Sequence, residues 1–234
     1  MRVFVYVLLG IAAVTTAISL IGPNIDLAIA SLFYDPATRQ FAASNPYLAG
    51  LREYGMISVG TCIGVIGLAM VRLLPWRLPS IPARSAIALT LSLILGPGIL
   101  VNGILKPYGG RPRPAELTQF GGNLHYVDWW NPNGACDGNC SFISGESATA
   151  AWMFGPAMVV PPPWRAAAIG AAAAFTLAIS LLRVAGGAHF FTDALFGVLT
   201  TIAIILAMQR LFTLWPSGAS RGTHGRRADH GASS

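Results

Sequence analysis

An all-α integral membrane protein is the fold class this sequence predicts, and three observations carry the prediction. Of the 234 residues 54% are hydrophobic and only 10% are charged, against about 25% charged in a soluble domain. The apolar runs reach the ~20 residues that a helix needs to cross a bilayer. They lack the short apolar–polar alternation of an outer-membrane barrel. A net charge of +6 in a soluble protein would suggest nucleic acid. Here the cations flank the apolar runs, so membrane topology accounts for them and no nucleic-acid partner is implied.

Six transmembrane helices follow from the pattern. Residues 3–21 carry no charge and follow Arg2, which predicts a first span entered from the cytoplasm. A cleavable signal peptide is the competing reading, because residues 13–17 offer small side chains for cleavage. Residues 26–33 predict a short amphipathic helix at the outer interface, with Tyr34, Phe41 and Tyr47 suited to an interfacial belt. A second span, 54–71, leads to a basic stretch with Arg72, Arg77 and Arg84. The third, 85–105, contains Pro97 and Asn102, and a polar outer segment, 106–143, follows it. The fourth span is 144–160. Pro161-Pro162-Pro163-Trp164-Arg165 then forms a turn, because proline cannot continue a helix. The fifth, 166–182, is rich in Ala and Gly, which allows close helix approach. The sixth runs from His189 to about Trp215. Residues 1–215 thus form one membrane domain, with its active-site half at about 85–215, and 216–234 form a disordered cytoplasmic tail.

Charge tests this layout. With both termini inside, nine of the fifteen Lys and Arg lie on the cytoplasmic side and six outside: Arg39, Arg52, Lys106, Arg111, Arg113 and Arg183. The bias follows the positive-inside rule, and four of the six outer cations belong to motifs described below. Cys62 lies in mid-span as a packing residue. Cys136 and Cys140 lie in the outer segment, where an oxidising periplasm favours a disulfide. A metal pair is the competing reading, but no second pair of ligands has suitable spacing.

Three motifs open to the same side. Lys106-Pro107-Tyr108-Gly109-Gly110-Arg111-Pro112-Arg113-Pro114 places three cations at the end of the third span, with glycines for close backbone approach and prolines for stiffness, a combination suited to an anion. Ser141-Phe142-Ile143-Ser144-Gly145-Glu146-Ser147 leads into the fourth span. Ser144 is its natural N-cap, and the free N–H groups after it favour an anion. In residues 183–193, Arg183, His189 and Asp193 interrupt an apolar stretch where ionisable groups are costly without a function. A helix beginning near His189 puts Asp193 on the same face at i+4, so that its carboxylate holds one ring nitrogen while the other faces outward as a nucleophile or base. A snorkelling Arg183 with a helix-capping His–Asp pair is the competing structural reading. Cations, helix-terminal N–H groups and an oriented histidine are the parts of phosphoryl transfer through a phosphohistidine. No cluster of carboxylates suggests a metal.

The spacing Lys106-x6-Arg113-Pro114, then Ser144-Gly145, then Arg183-x5-His189-x3-Asp193 resembles the three-part signature of the phosphatidic acid phosphatase type 2 superfamily, related to vanadium haloperoxidases. The resemblance implies that Lys106, Arg113, Arg183, Ser144 and Gly145 bind phosphate, that His189 is the nucleophile and that Asp193 orients it. It further implies a metal-independent enzyme without cofactors, acting on lipid phosphates or diphosphates at the periplasmic face of the bacterial inner membrane. Lipid A phosphates, polyprenyl diphosphate and phosphatidylglycerophosphate are the candidate substrates; lipid-to-lipid phosphotransfer, or lipid-phosphate binding or transport without turnover, are the alternatives.

Two positions depart from the family pattern. Leu182 precedes Arg183 where the family has serine. More consequentially, Glu146 stands where the family has the histidine that protonates the leaving group. Neighbouring cations and a helix N-terminus favour an ionised Glu146, whereas a bound phosphate and a partly dry interface favour the protonated acid. The expected role is general acid, with simple helix capping as the alternative. His125 in the outer segment is a second candidate acid, without a spacing argument.

Overall fold

The computed structural model describes residues 2–22, 24–70 and 82–214. Arg72, Arg77, Trp215 and the 216–234 tail lie outside the described residues. Among the described residues eight helices, besides short 3-10 turns, set the architecture: α1 (Arg2–Ile21), α2 (Asn24–Ser31), α3 (Pro46–Met70), α4 (Ala83–Tyr108), α5 (Gly145–Ala151), α6 (Phe154–Val159), α7 (Pro162–Ala185) and α8 (Phe191–Leu214). Among the described residues α4, α7 and the Phe191–Phe212 part of α8 are long and apolar enough to cross a membrane.

Several of the expected helices form with shifted ends that have local causes. Helix α3 starts eight residues before the expected second span, because the Asn45 side chain accepts from Tyr47 N at 2.8 Å and Pro46 follows it at the first helical position. The proline run does not merely end a helix. Pro162 and Pro163 start α7, where the missing N–H donors would have no partner in any case. In α4 the backbone widens into π-type turns over Ile94–Leu105 around Pro97, and the Asn102 amide donates to the Pro97 carbonyl at 2.6 Å.

The expected fourth span is not one helix. It breaks into α5 and α6 at Trp152 and Met153, because Pro156 has no N–H for the i−4 carbonyl of Trp152 and its ring crowds that carbonyl. Trp152 is buried at the break, and its indole N–H donates to Leu89 O and Ser92 Oγ, both at 3.1 Å. With Val59, Leu89 and Ile205 it forms a core joining α3, α4 and α8. Gly155 lets Leu89 pack against the backbone, since a Cβ there would stand 2.7 Å from Leu89 Cδ2.

Helix α8 is the hub. It packs on α1, α2, α4, α5, α6 and α7. The N-terminal region differs most from the expectation of an interfacial helix and an aromatic belt. Asp26 of α2 is buried, and its carboxylate accepts from Thr192 N and Thr192 Oγ1 at the start of α8. A two-stranded hairpin, β1 (Tyr34–Asp35) and β2 (Gln40–Phe41), pairs Tyr34 with Phe41. Phe41 is buried rather than interfacial. It joins Ala30, Leu117, Phe120 and Phe190 in an outer cluster, while Tyr47 stays exposed.

Candidate active site

The three motifs meet where α4 ends, α5 begins and α7 turns into α8. The turn after α7 uses Gly186 and Gly187, the latter with φ +65°, and a Cβ on Gly187 would overlap the Phe41 ring. The outer cluster thereby fixes the turn, and Gly187 O accepts from Ala115 N at 2.9 Å. His189 emerges from it almost wholly buried. Its Nδ1 lies 2.7 Å from the Ser141 carbonyl oxygen. A carbonyl can only accept, so Nδ1 carries the proton and Nε2 keeps its lone pair.

The expected direct clasp of His189 by Asp193 is corrected here. Helix α8 starts at Phe191, so His189 precedes the first turn, and Asp193 Oδ2 stands 4.0 Å from Nδ1. The carboxylate has nearer donors: Ser141 Oγ at 2.5 Å, Phe190 N at 2.8 Å and the Arg111 guanidinium. Its bond to Phe190 N is the helix-side half of a capping box. Asp193 is therefore linked to His189 through Ser141, whose hydroxyl it holds and whose carbonyl holds the ring.

Arg111, expected to face an anion, turns inward and is completely buried. It bridges Asp193 and Asp26, the latter at 2.7 Å, donates to Val127 O, Thr192 Oγ1 and Tyr126 Oη, and lies over the Phe190 ring at 4.2 Å from its centre. Burial by itself favours a neutral guanidine, but the Asp193 and Asp26 carboxylates outweigh it and hold Arg111 protonated more firmly than usual. The glycines before it serve close packing against the chain itself. A Cβ on Gly109 would lie 2.7 Å from the Phe142 carbonyl oxygen.

Lys106, Arg113 and Arg183 do converge. Each lies within electrostatic reach of His189. Arg113 is set by a tight turn over Pro114–Glu116 in which Glu116 Oε2 accepts Arg113 N at 2.8 Å, and its guanidinium donates to Asn139 O at 2.8 Å. Asn139 lies within the loop closed by the Cys136–Cys140 disulfide, two residues before Ser141. Burial first, then the positive charges of Arg183, Lys106 and Arg113, push the His189 imidazolium well below its usual range, against the hydrogen bond to Ser141. Burial and these cations thus oppose protonation of the ring, which favours the neutral tautomer with its proton on Nδ1. Among the described residues no group of three His, Cys, Asp or Glu is placed to hold a metal ion.

Ser144 is the N-cap of α5, accepting from Ser147 N at 3.3 Å, and its own N–H donates to Asp193 O. Gly145 is required by packing, because a Cβ would stand 2.5 Å from Asn102 Oδ1. Glu146 forms ion pairs with Arg183 at 3.5 Å and with Arg52 at 3.4 Å, both through Oε1, while Oε2 is buried without a hydrogen-bond partner. His125 stands exposed on the outer segment. Sequence reasoning missed Arg52, Asp26 and Ser141. The one available signal was that Arg52 is a cation on the outer side that no motif explained.

The chain matches relatives across this region. It is 40% identical over 120 residues to a lipid A 4'-phosphatase of Rhizobium etli, a match covering 51% of this chain and 47% of that protein. It is 38% identical over 120 residues to the Rhizobium leguminosarum lipid A 4'-phosphatase, covering 51% and 52%. A lipid A 4'-phosphatase of Francisella tularensis subsp. novicida is 29% identical over 181 residues, covering 76% and 81%. The match thus spans about half the length of each of the two rhizobial relatives. The crystal structure of a transmembrane phosphatidylglycerolphosphate phosphatase from Bacillus subtilis has the same fold, with a TM-score of 0.51 over 90% of this chain and 92% of that one at 21% identity. The model of the PAP2 superfamily matches residues 85–216, more than half of the sequence. From the start of α4 through α8, then, both motif and fold agree, and the chain belongs to the PAP2 superfamily.

Proposed function

We propose that the chain is a metal-independent membrane lipid phosphatase with His189 Nε2 as its nucleophile. One observation carries the reading: an imidazole fixed at Nδ1 by the Ser141 carbonyl and kept neutral beside Lys106, Arg113 and Arg183. A phosphate ester sits among these cations, with Ser144 and Gly145 at its edge. The phosphate arrives as its monoanion and passes its proton to Oε2 of the Glu146 carboxylate; Nε2 attacks phosphorus, the bond from phosphorus to the lipid oxygen breaks, and that oxygen takes this proton from Glu146. Glu146 Oε2 is the atom free to carry that proton, since Oε1 is engaged by two arginines. Water then attacks the phosphohistidine and returns a proton to Glu146, releasing inorganic phosphate and neutral His189. The cations stabilise the charge on the transferring group, which is where electrostatic catalysis is strongest. Asp193 is the positioning group behind Ser141.

The lipid A 4'-phosphatase relatives favour a sugar-borne phosphate of a glycolipid over polyprenyl diphosphate or phosphatidylglycerophosphate. The six-span topology, with both termini cytoplasmic and the site at the periplasmic face of the inner membrane, belongs to the same proposal and is supported by the charge bias. The test is phosphate release by purified protein in detergent with EDTA present, over those three lipid classes, with and without an acceptor lipid. Release from the glycolipid that is abolished in His189→Ala is the expected result. Transfer to the acceptor without release would make the protein a phosphotransferase, and binding without either would make it a lipid-phosphate carrier.

A further inference from the structure

Arg52 lies on α3, outside the stretch that the PAP2 family model matches. It is nevertheless joined to the pocket by its ion pair with Glu146, and both side chains are only about one-third exposed, at 34% and 30%. Glu146 also pairs with Arg183, whose side chain is 11% exposed and whose Nε is buried without a hydrogen-bond partner. One carboxylate oxygen, Oε1, is therefore shared between two guanidinium groups. Arg183 is needed by the incoming phosphate, and a carboxylate paired with it competes with that phosphate for the same donors.

We infer that Arg52 is a positioning residue that holds Glu146 Oε1, so that Arg183 is released to the phosphate when substrate arrives. The inference rests on the proposed phosphate site and deepens it. With Arg52 present, Glu146 gives up one partner and keeps the other, and its Oε2 stays aimed for proton transfer. Without Arg52, Arg183 is the one counter-ion left to Glu146 of the two seen here, and phosphate must break that pair unaided. Arg52 acts through Glu146, and its effect vanishes when Glu146 has no charge to be held.

A double-variant cycle tests this, read by the inorganic phosphate concentration that half-protects the protein in detergent from thermal unfolding, and by the KM and kcat for the lipid phosphate. Arg52→Ala should weaken phosphate protection by about tenfold, the scale of one charged hydrogen bond, and should raise KM more than it lowers kcat. In the Glu146→Gln background Arg52→Ala should change phosphate protection by less than about threefold, the remainder being screened long-range charge. Arg52→Lys, which keeps the cation, should recover part of the loss. Weakening that persists in the Gln background would show that Arg52 meets the phosphate or supports the fold directly, and it would overturn the inference. Unchanged protection in Arg52→Ala would overturn it as well. If the unsubstituted protein shows neither phosphate protection nor turnover, the phosphate site itself is wrong, and Arg52 with it.

Discussion

Acidification should destabilise this protein through His189 by an amount that can be worked out in advance. The buried imidazole sits among three cations and is held well below its usual titration range, whereas in the unfolded chain it titrates at about 6.5. The unfolded chain therefore binds the extra proton first. Stability is complete above about pH 6.5 and falls as the pH drops from there towards the folded value. At pH 5, about 1.5 units below the unfolded value at roughly 1.4 kcal/mol per unit, the loss is at most about 2 kcal/mol. The assay is the apparent Tm in detergent between pH 8 and 5 for the protein and for His189→Asn, whose amide can still donate to the Ser141 carbonyl. Other groups titrate in both, so the difference isolates His189. The gap between the two curves should change by a few degrees towards the acid side. Parallel curves would refute a neutral buried His189. The same proton should leave its mark on kcat/KM, with the acid limb well below pH 6.5.

Asp193→Asn should lower kcat by ~10²-fold or more, on the scale of general-base effects. Ser141→Ala should cost less, because the backbone carbonyl that holds Nδ1 remains. Equal losses, measured as kcat in detergent, would contradict that order. Reducing the Cys136–Cys140 disulfide, or replacing both cysteines with serine, should lower kcat and raise KM, because the loop presents Asn139 O to Arg113 and leads directly to Ser141. Recovery on reoxidation should accompany the reductant effect, and unchanged kinetics would remove the loop from the mechanism. A reporter fused after Phe120 should be active in the periplasm and one fused after Trp215 in the cytoplasm; periplasmic activity at Trp215 would overturn the six-span layout.

Periodicity and composition made the helical membrane fold legible, since span length and scarce charge follow directly from bilayer thickness. The family signature was legible because its cations recur at fixed intervals, and the structure brings Lys106, Arg113 and Arg183 within electrostatic reach of His189. What the sequence hid depends on long-range contact. Nothing near Asp26 in the chain announces that it pairs with Arg111, 85 residues on. The i+4 spacing of His189 and Asp193 suggested a direct bond. Helix start decided otherwise, because Asp193 caps the first turn of α8 and leaves the ring to a carbonyl 48 residues earlier. In the same way Arg111 and Arg113 are chemically identical neighbours in sequence. One is turned to buried carboxylates and the other to the Asn139 carbonyl, a sorting that only the packed 106–143 segment can make.

The Asp26 contact makes the first thirty residues more than a membrane anchor. Thr192 N and Oγ1, at the leading end of the helix that follows His189, and one side of Arg111 are all satisfied by a carboxylate that lies well before residue 85, where the family match begins. A fragment starting at α4 would keep every signature residue yet leave Arg111 with one of its two buried counter-charges, a loss of about 3–5 kcal/mol for a broken buried pair. Such a fragment is a lock without its keeper. Expressed alone it should be inactive, and supplied with residues 1–70 as a separate polypeptide it should regain turnover. The family-matched half and its N-terminal partner then act as one unit, which constrains how domains of this kind can be shuffled or grafted.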